Sequence, residues 1–190
     1  MRSRKPNRLS TYNYAQPGAY FITTVVNRRQ STFGEIKDGT IQLTPYGEIV
    51  VKQWHWLHKR YLQIILDEFV AMPNHFHGII NIRVGTGRDL SLQSATTDRP
   101  KVKTLSELIG AFKTTTSKLI HQAGMTSFQW QRSFYERIVR NEDELFRIRE
   151  YIQTNPLRWD SDVENVKRTG SRNGLPGDNV QHYYDKIINS

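Results

Sequence analysis

Cysteine is absent from the 190-residue chain. That excludes disulfides, thiolate nucleophiles, zinc fingers and Cys-bound iron–sulfur clusters, and it fits a reducing compartment. Long apolar runs are missing too. Nothing approaches the roughly 18–20 residues of a membrane span, and the first residues lack the apolar stretch of a secretory signal. No G-x-x-x-x-G-K-[ST] run offers a phosphate loop. Acidic charge is in deficit: 27 Lys+Arg face 18 Asp+Glu, for a formal charge of +9. The expectation is a cytoplasmic, nucleoid-associated protein without membrane or nucleotide cofactor, whose partner is a polyanion. The length suits one domain with a core that needs no staple.

The positive excess is not spread evenly. Asp160 to Ser190 holds four basic and five acidic residues, so the excess lies in 1–159. Met1 to Leu9 carries Arg2, Arg4, Lys5 and Arg8 and no acid. Such an arm stays flexible until it meets phosphate. Arg99, Lys101 and Lys103 form a second basic segment, and Arg132, Arg137 and Arg140 a third. Aromatics make up 11% of the chain. Rings interleaved with Lys and Arg suit single-stranded nucleic acid, where bases stack and cations track the backbone.

Ala19 to Asn27 is rich in aromatic and β-branched residues and reads as a strand. Phe33–Lys37 and Thr40–Thr44 flank Asp38-Gly39, a two-residue hairpin turn. Thr44-Pro45 reads as an N-cap followed by Pro at the first helical position. Val50, Trp54, Leu57 and Tyr61 form the apolar stripe of that helix. Leu62–Met72 and His75–Ile82 read as strands around Pro73-Asn74, and Val84–Lys103 as a loop. Thr104-Leu-Ser-Glu107 is a capping box. The helix behind it carries Leu105, Leu108, Ile109, Phe112, Leu119 and Ile120 and stops near Gly124. Tyr135–Val139 is a strand, and Asn141 caps a third helix that ends near Pro156.

Setting the hairpin aside leaves β-α-β-β-α-β and a final helix. That order predicts an α+β, ferredoxin-like (split βαβ) antiparallel sheet with helices on one face, plus a C-terminal helix and tail. The expected division is a basic arm over 1–10, one domain over 11–160, and a tail of unknown role over 161–190. The Tyr183-Tyr184 segment of the tail is a candidate for docking.

Two constellations carry chemistry. His75 and His77 sit two apart on a strand, so both imidazoles face one side while Phe76, Gly78, Ile80 and Ile82 face the other. Two imidazoles on one rigid strand can hold a divalent cation, or simply be two polar residues on a solvated face. Tyr151 and Asn155 are four apart and share a helix face. A tyrosine can act as a nucleophile, although most tyrosines only bury a ring beside a wet hydroxyl.

Met72-Pro-Asn-His-Phe-His-Gly-Ile-Ile80 resembles the His-hydrophobe-His strand of HUH nucleases. Trp130-Gln-Arg132, Arg140-Asn-Glu142 and Arg149 to Trp159 resemble the downstream blocks of small single-tyrosine transposases, above all the REP-associated tyrosine transposase group. Tyr14 to Phe21 and Phe33-Gly-Glu35 are similar to that group's N-terminal pattern, so the resemblance spans roughly Arg8 to Trp159. It implies a metal-dependent endonuclease and strand transferase that acts on single-stranded or hairpin DNA. The implied intermediate is a 5′-phosphotyrosine, with a freed 3′-OH that later rejoins the strand.

Carried over by position, the resemblance makes Tyr151 the catalytic nucleophile and His75, His77 and Asn155 the metal ligands. It also implies a homodimer. A two-imidazole, one-amide site with open positions suits Mg²⁺ or Mn²⁺ over structural zinc. Arg2, Arg4, Lys5, Arg8, Lys113, Arg132, Arg137 and Arg140 are the expected DNA contacts. Arg137 stands where much of the group has His, a substitution that preserves a phosphate contact but not a proton shuttle. Two other readings remain at this point. One is a non-catalytic single-stranded nucleic-acid binder on an RNA-recognition-like sheet. The other is a Rep- or relaxase-type nicking enzyme.

Overall fold

The computed structural model describes residues 17–83, 103–166 and 177–189. Arg2, Arg4, Lys5 and Arg8, and most of the loop expected over 84–103, lie outside these residues. The described chain runs β1 (Gly18–Val25), β2 (Gly34–Lys37), β3 (Thr40–Leu43), α1 (Pro45–Arg60), β4 (Ile64–Ala71), β5 (His75–Ile82), α2 (Leu105–Gln122), β6 (Tyr135–Val139), α3 (Glu142–Thr154) and α4 (Gly177–Asn189). Short 3-10 turns follow β1, at Asn27–Arg29, and α3, at Pro156–Ser161.

The main sheet has the order β4-β5-β1-β6, every neighbour antiparallel. This is the strand order of the split βαβ arrangement. β2 and β3 form a separate hairpin, closed by Asp38 (φ 50°) and Gly39 (φ 70°). Two positive φ angles are what a tight hairpin turn with right-handed strand twist requires.

Local signals behave as the sequence predicts. Thr44 accepts from the Gly47 amide, with Pro45 opening α1. Thr104 and Glu107 complete the capping box of α2. Val50, Trp54 and Leu57 are buried on α1, while Tyr61 falls just past the helix end. They meet Tyr20, Ile22, Phe76 and Ile80 from the sheet and Leu108, Ile109 and Phe112 from α2. Gly78 permits this contact, since a Cβ there would sit 2.7 Å from the Trp54 ring.

The expectation of helices on one face holds for α1 and α2 only. A second core covers the opposite face, built from Phe21 and Ile79 of the sheet, Ile148, Tyr151 and Ile152 of α3, Val163, and Tyr184 and Ile188 of α4. The tail therefore does dock: Tyr184 is fully buried. Three polar ties hold α3 there. Arg149 forks onto Asp67 (2.9 and 2.6 Å) at the bulge in β4, Glu144 takes the Arg137 guanidinium of β6 (2.5 Å), and Arg147 donates to the Ile188 carbonyl of α4 (2.5 Å). Among the described residues no helix is long and apolar enough to cross a membrane.

Candidate active site

β5 brings His75 and His77 to the second face, and α3 lays Tyr151 over them. The two Nε2 atoms are 3.0 Å apart, and the Tyr151 hydroxyl is 3.3 Å from the His77 Nε2. All three residues come from the one described chain. Both histidines are fully buried and Tyr151 is 3% exposed.

The hydrogen bonds on the far side of each ring decide which nitrogen faces the centre. The Asn74 Nδ2 donates to the Arg29 and Glu164 carbonyls, leaving its Oδ1 beside the His75 Nδ1 at 2.9 Å. An amide oxygen only accepts, so His75 carries its proton on Nδ1 and turns a bare Nε2 inward. His77 Nδ1 lies 2.8 Å from the Thr23 hydroxyl, which both donates and accepts. His77 can thus hold its proton on either nitrogen while Thr23 adapts.

Burial, reinforced by the Arg29 charge, pulls the His75 pKa down to about 3. Burial and then His75 push His77 well below its ordinary value, against the pull of Asp162. Both rings are therefore neutral near pH 7, as metal ligation demands. Burial drives the Tyr151 phenol well above its usual value, with Asp162 and Tyr184 adding to the effect.

Asp162 joins the histidine pair as a candidate ligand that the sequence reading did not name. His75, His77 and Asp162 each offer a ligand atom within 4.8 Å of the other two. Asn155 is also buried there, but its Nδ2 donates to the Asp162 Oδ2 at 3.1 Å. Its Oδ1 has no hydrogen-bond partner among the described residues.

The donor set fits a hard or borderline divalent cation. Two ligands about 2.1 Å from an octahedral ion stand ~3.0 Å apart, the separation of the two Nε2 atoms. A carboxylate and an orphaned amide oxygen lie beside them. Asp162 gave no sequence signal, because it lies outside the motif blocks in a segment without periodicity. Asn74 stood inside the motif, but only its contacts reveal its part. Asn74→Ala is expected to weaken Mn²⁺ binding by about 10–100-fold, measured by Mn²⁺ electron paramagnetic resonance, with the far-UV spectrum unchanged. Wild-type affinity in that variant would remove Asn74 from the metal's support.

The expected DNA contacts divide. Arg132 and Arg140 are exposed. Arg132 lines a groove of about 710 Å³ along α2 with Lys118, His121 and Trp130. Lys113 is engaged elsewhere, its ammonium donating to the carbonyls of Gln131, Arg132 and Ser133 at 2.6–3.3 Å. It shapes the groove rather than presenting a free cation. Arg137 is likewise held by Glu144 and Asp185, its side chain 9% exposed.

No protein-family model matches the chain. An uncharacterized protein of Haemophilus influenzae is 36% identical over 164 residues, which cover 84% of this chain and 91% of that protein. The chain belongs to the family of that protein. Its fold is also that of the REP-associated tyrosine transposase, solved bound to a REP hairpin. The two match with a TM-score of 0.52 at 20% identity, over 80% of this chain and 74% of the other. A candidate transposase from Deinococcus radiodurans aligns more loosely, with a TM-score of 0.40 at 14% identity over 80% of this chain and 96% of that one. The sheet of this transposase fold carries the histidine pair at its centre, on the strand between β1 and β4.

Proposed function

We propose that this protein is a metal-dependent single-stranded DNA endonuclease and strand transferase of the single-tyrosine HUH type, in the REP-associated tyrosine transposase group. The observation that carries the reading is the convergence of the His75 and His77 Nε2 atoms with the Tyr151 hydroxyl, at 3.0 and 3.3 Å, on that fold. A binding module has no use for a tyrosine buried against two neutral imidazoles.

Tyr151 is the nucleophile. Its oxygen bonds to the scissile phosphorus as the P–O3′ bond breaks. The phenolic proton leaves and the 3′ oxygen gains one, yielding a 5′-phosphotyrosine and a free 3′-OH. The reverse attack by a 3′-OH rejoins the strand without ATP. His75, His77, Asp162 and the Asn155 Oδ1 would hold Mg²⁺ or Mn²⁺, which would supply Lewis-acid stabilisation of charge on the scissile phosphate and the leaving oxygen. The substrate is a single strand with a hairpin, the partner class of the REP-associated transposase. Lys118, Arg132 and Arg140, with the arm residues Arg2, Arg4, Lys5 and Arg8, supply phosphate contacts. Because Tyr151 is 3% exposed, DNA entry displaces part of the Asp162–Asn165 segment or of α4 that closes the site.

The test is cleavage of 5′- and 3′-labelled hairpin DNA pools with Mn²⁺, Mg²⁺ or EDTA. The expected product is a denaturant-stable protein–DNA adduct on the 5′-phosphate side, lost in EDTA. Tight binding without adduct across a randomised pool would favour the non-catalytic binder. Light scattering with and without DNA tests the homodimer.

A further inference from the structure

A second pocket opens beside the closed site. It has a volume of about 500 Å³ and is walled by Arg28, Arg29, Asn74, Trp159 and Asn165. That lies within the roughly 300–1,000 Å³ range of small-molecule pockets. Two of its wall residues touch His75. Asn74 accepts from its Nδ1 at 2.9 Å, and the Trp159 ring centroid is 6.0 Å from the imidazole centroid.

The 3-10 turn after β1 is unusual. Arg28 and Arg29 are consecutive non-glycine residues with φ of 56° and 51°. Left-handed backbone in such residues persists only where surrounding structure holds it, and it clusters at binding sites. Here Val26 N–H donates to the Asn74 carbonyl and Asn27 N–H to the Gln129 carbonyl, both at 2.8 Å. The turn presents Arg28 to solvent and buries Arg29.

Arg29 carries a second anomaly. Its Nη2 pairs with Glu164 at 2.5 Å, yet its buried Nε and Nη1 have no hydrogen-bond partner among the described residues. Unpaired N–H groups on a buried cation are costly, and a phosphate offers the acceptors a guanidinium fork matches. The acid in the pocket wall, Glu35, is paired on its own strand with Lys37 at 2.5 Å. Trp159 is half-buried, and an indole at a pocket wall is a stacking platform for a base.

We propose that this pocket is a nucleotide subsite, in which the DNA residue next to the scissile linkage stacks its base on Trp159 and places its phosphate on Arg28 and Arg29. The inference rests on the nuclease reading and adds to it the seat of the flanking nucleotide. A series of contacts, Tyr151 to His77 to His75 to Asn74, joins the nucleophile to the wall of this pocket.

The experiment uses the Tyr151→Phe protein and single-stranded hairpin DNA with 2-aminopurine placed in turn at each position around the cleaved linkage. One flanking position is expected to be quenched. The quench is lost in Tyr151→Phe/Trp159→Ala and retained in Tyr151→Phe/Trp159→Phe, which keeps a ring. Arg28→Gln is expected to weaken binding about three- to tenfold and to lower the salt slope by about 1. Quench confined to the stem, quench unchanged by Trp159→Ala, or an unaltered salt slope in Arg28→Gln would overturn the subsite. So would loss of Mn²⁺ binding in Trp159→Ala, which would make the ring a mere packing partner of His75. Absence of any adduct in the unmutated protein sinks the nuclease reading instead, and is scored separately.

Discussion

Tyr151→Phe is expected to lower DNA cleavage by at least about 1,000-fold and to leave hairpin binding within about twofold. The substitution removes one oxygen and keeps the ring. That ring packs edge-on against Phe21 and Tyr184, with centroids 6.1 Å away in each case, so the second core survives. What is lost is the hydroxyl that lies 3.3 Å from the His77 Nε2, on the side where the two imidazoles meet. The phenol is held neutral by burial and by the Asp162 charge. The His77 Nε2 has one lone pair, free only when the ring proton sits on Nδ1, and the phenol and a cation would compete for it. That competition would couple tyrosine and metal through one atom. His77→Ala is accordingly expected to impair metal binding as well as cleavage, whereas Tyr151→Phe spares metal binding. Gel detection of the covalent adduct, beside Mn²⁺ titration, separates the two. Residual cleavage at the wild-type rate in Tyr151→Phe would transfer the nucleophile's part to water.

The sequence made the histidine geometry legible because strand periodicity is strict. A spacing of two puts both rings on one face, and β5 pairs in register with β1 from His75 to Ile82. The helix caps were legible for the same reason, since Thr44 and Thr104 act on residues three positions away. Tyr184 was legible only as part of a docking segment, without the face it would cover, and Asp162, Glu164 and Arg29 were not legible. The contacts that bring them to the site reach across the chain, and no local period encodes such contacts. One global signal did exist. β1 and β5 are buried on both faces, as their near-continuous apolar runs suggest. A sheet buried on both faces needs a second cover, and only α3 and the tail remained to supply it. The arginines show the limit most plainly. Arg137 and Arg140 are equivalent as letters, and only the fold separates an internal ion pair from an exposed cation.

That separation gives the second large effect. Arg137→Ala is expected to destabilise the protein by about 3 kcal/mol, the lower end for breaking a buried pair, because Asp185 is 38% exposed. Glu144 would still accept from the Arg140 N–H, and its own N–H would still donate to the Asn141 Oδ1, but the carboxylate would lose its counter-charge in a site where its side chain is 4% exposed. Arg137→Lys is expected to recover only part of the loss. One ammonium lacks the fork that meets Glu144 through Nε and Asp185 through Nη1. Arg140→Ala makes the contrast. Its side chain is exposed, so its unfolding free energy should stay within ~0.5 kcal/mol of wild type while the salt slope of DNA binding drops by about 1. Urea unfolding and salt-dependent binding on the same three variants measure both quantities. If Arg137→Ala kept its stability and lost a unit of salt slope, Arg137 would be a phosphate contact after all, and the ties between β6, α3 and α4 would be weaker than their geometry implies. If the reverse pattern holds, Arg137 is a strut for the helix that carries Tyr151. The charge available to DNA then lies on the exposed arginines and on the groove along α2.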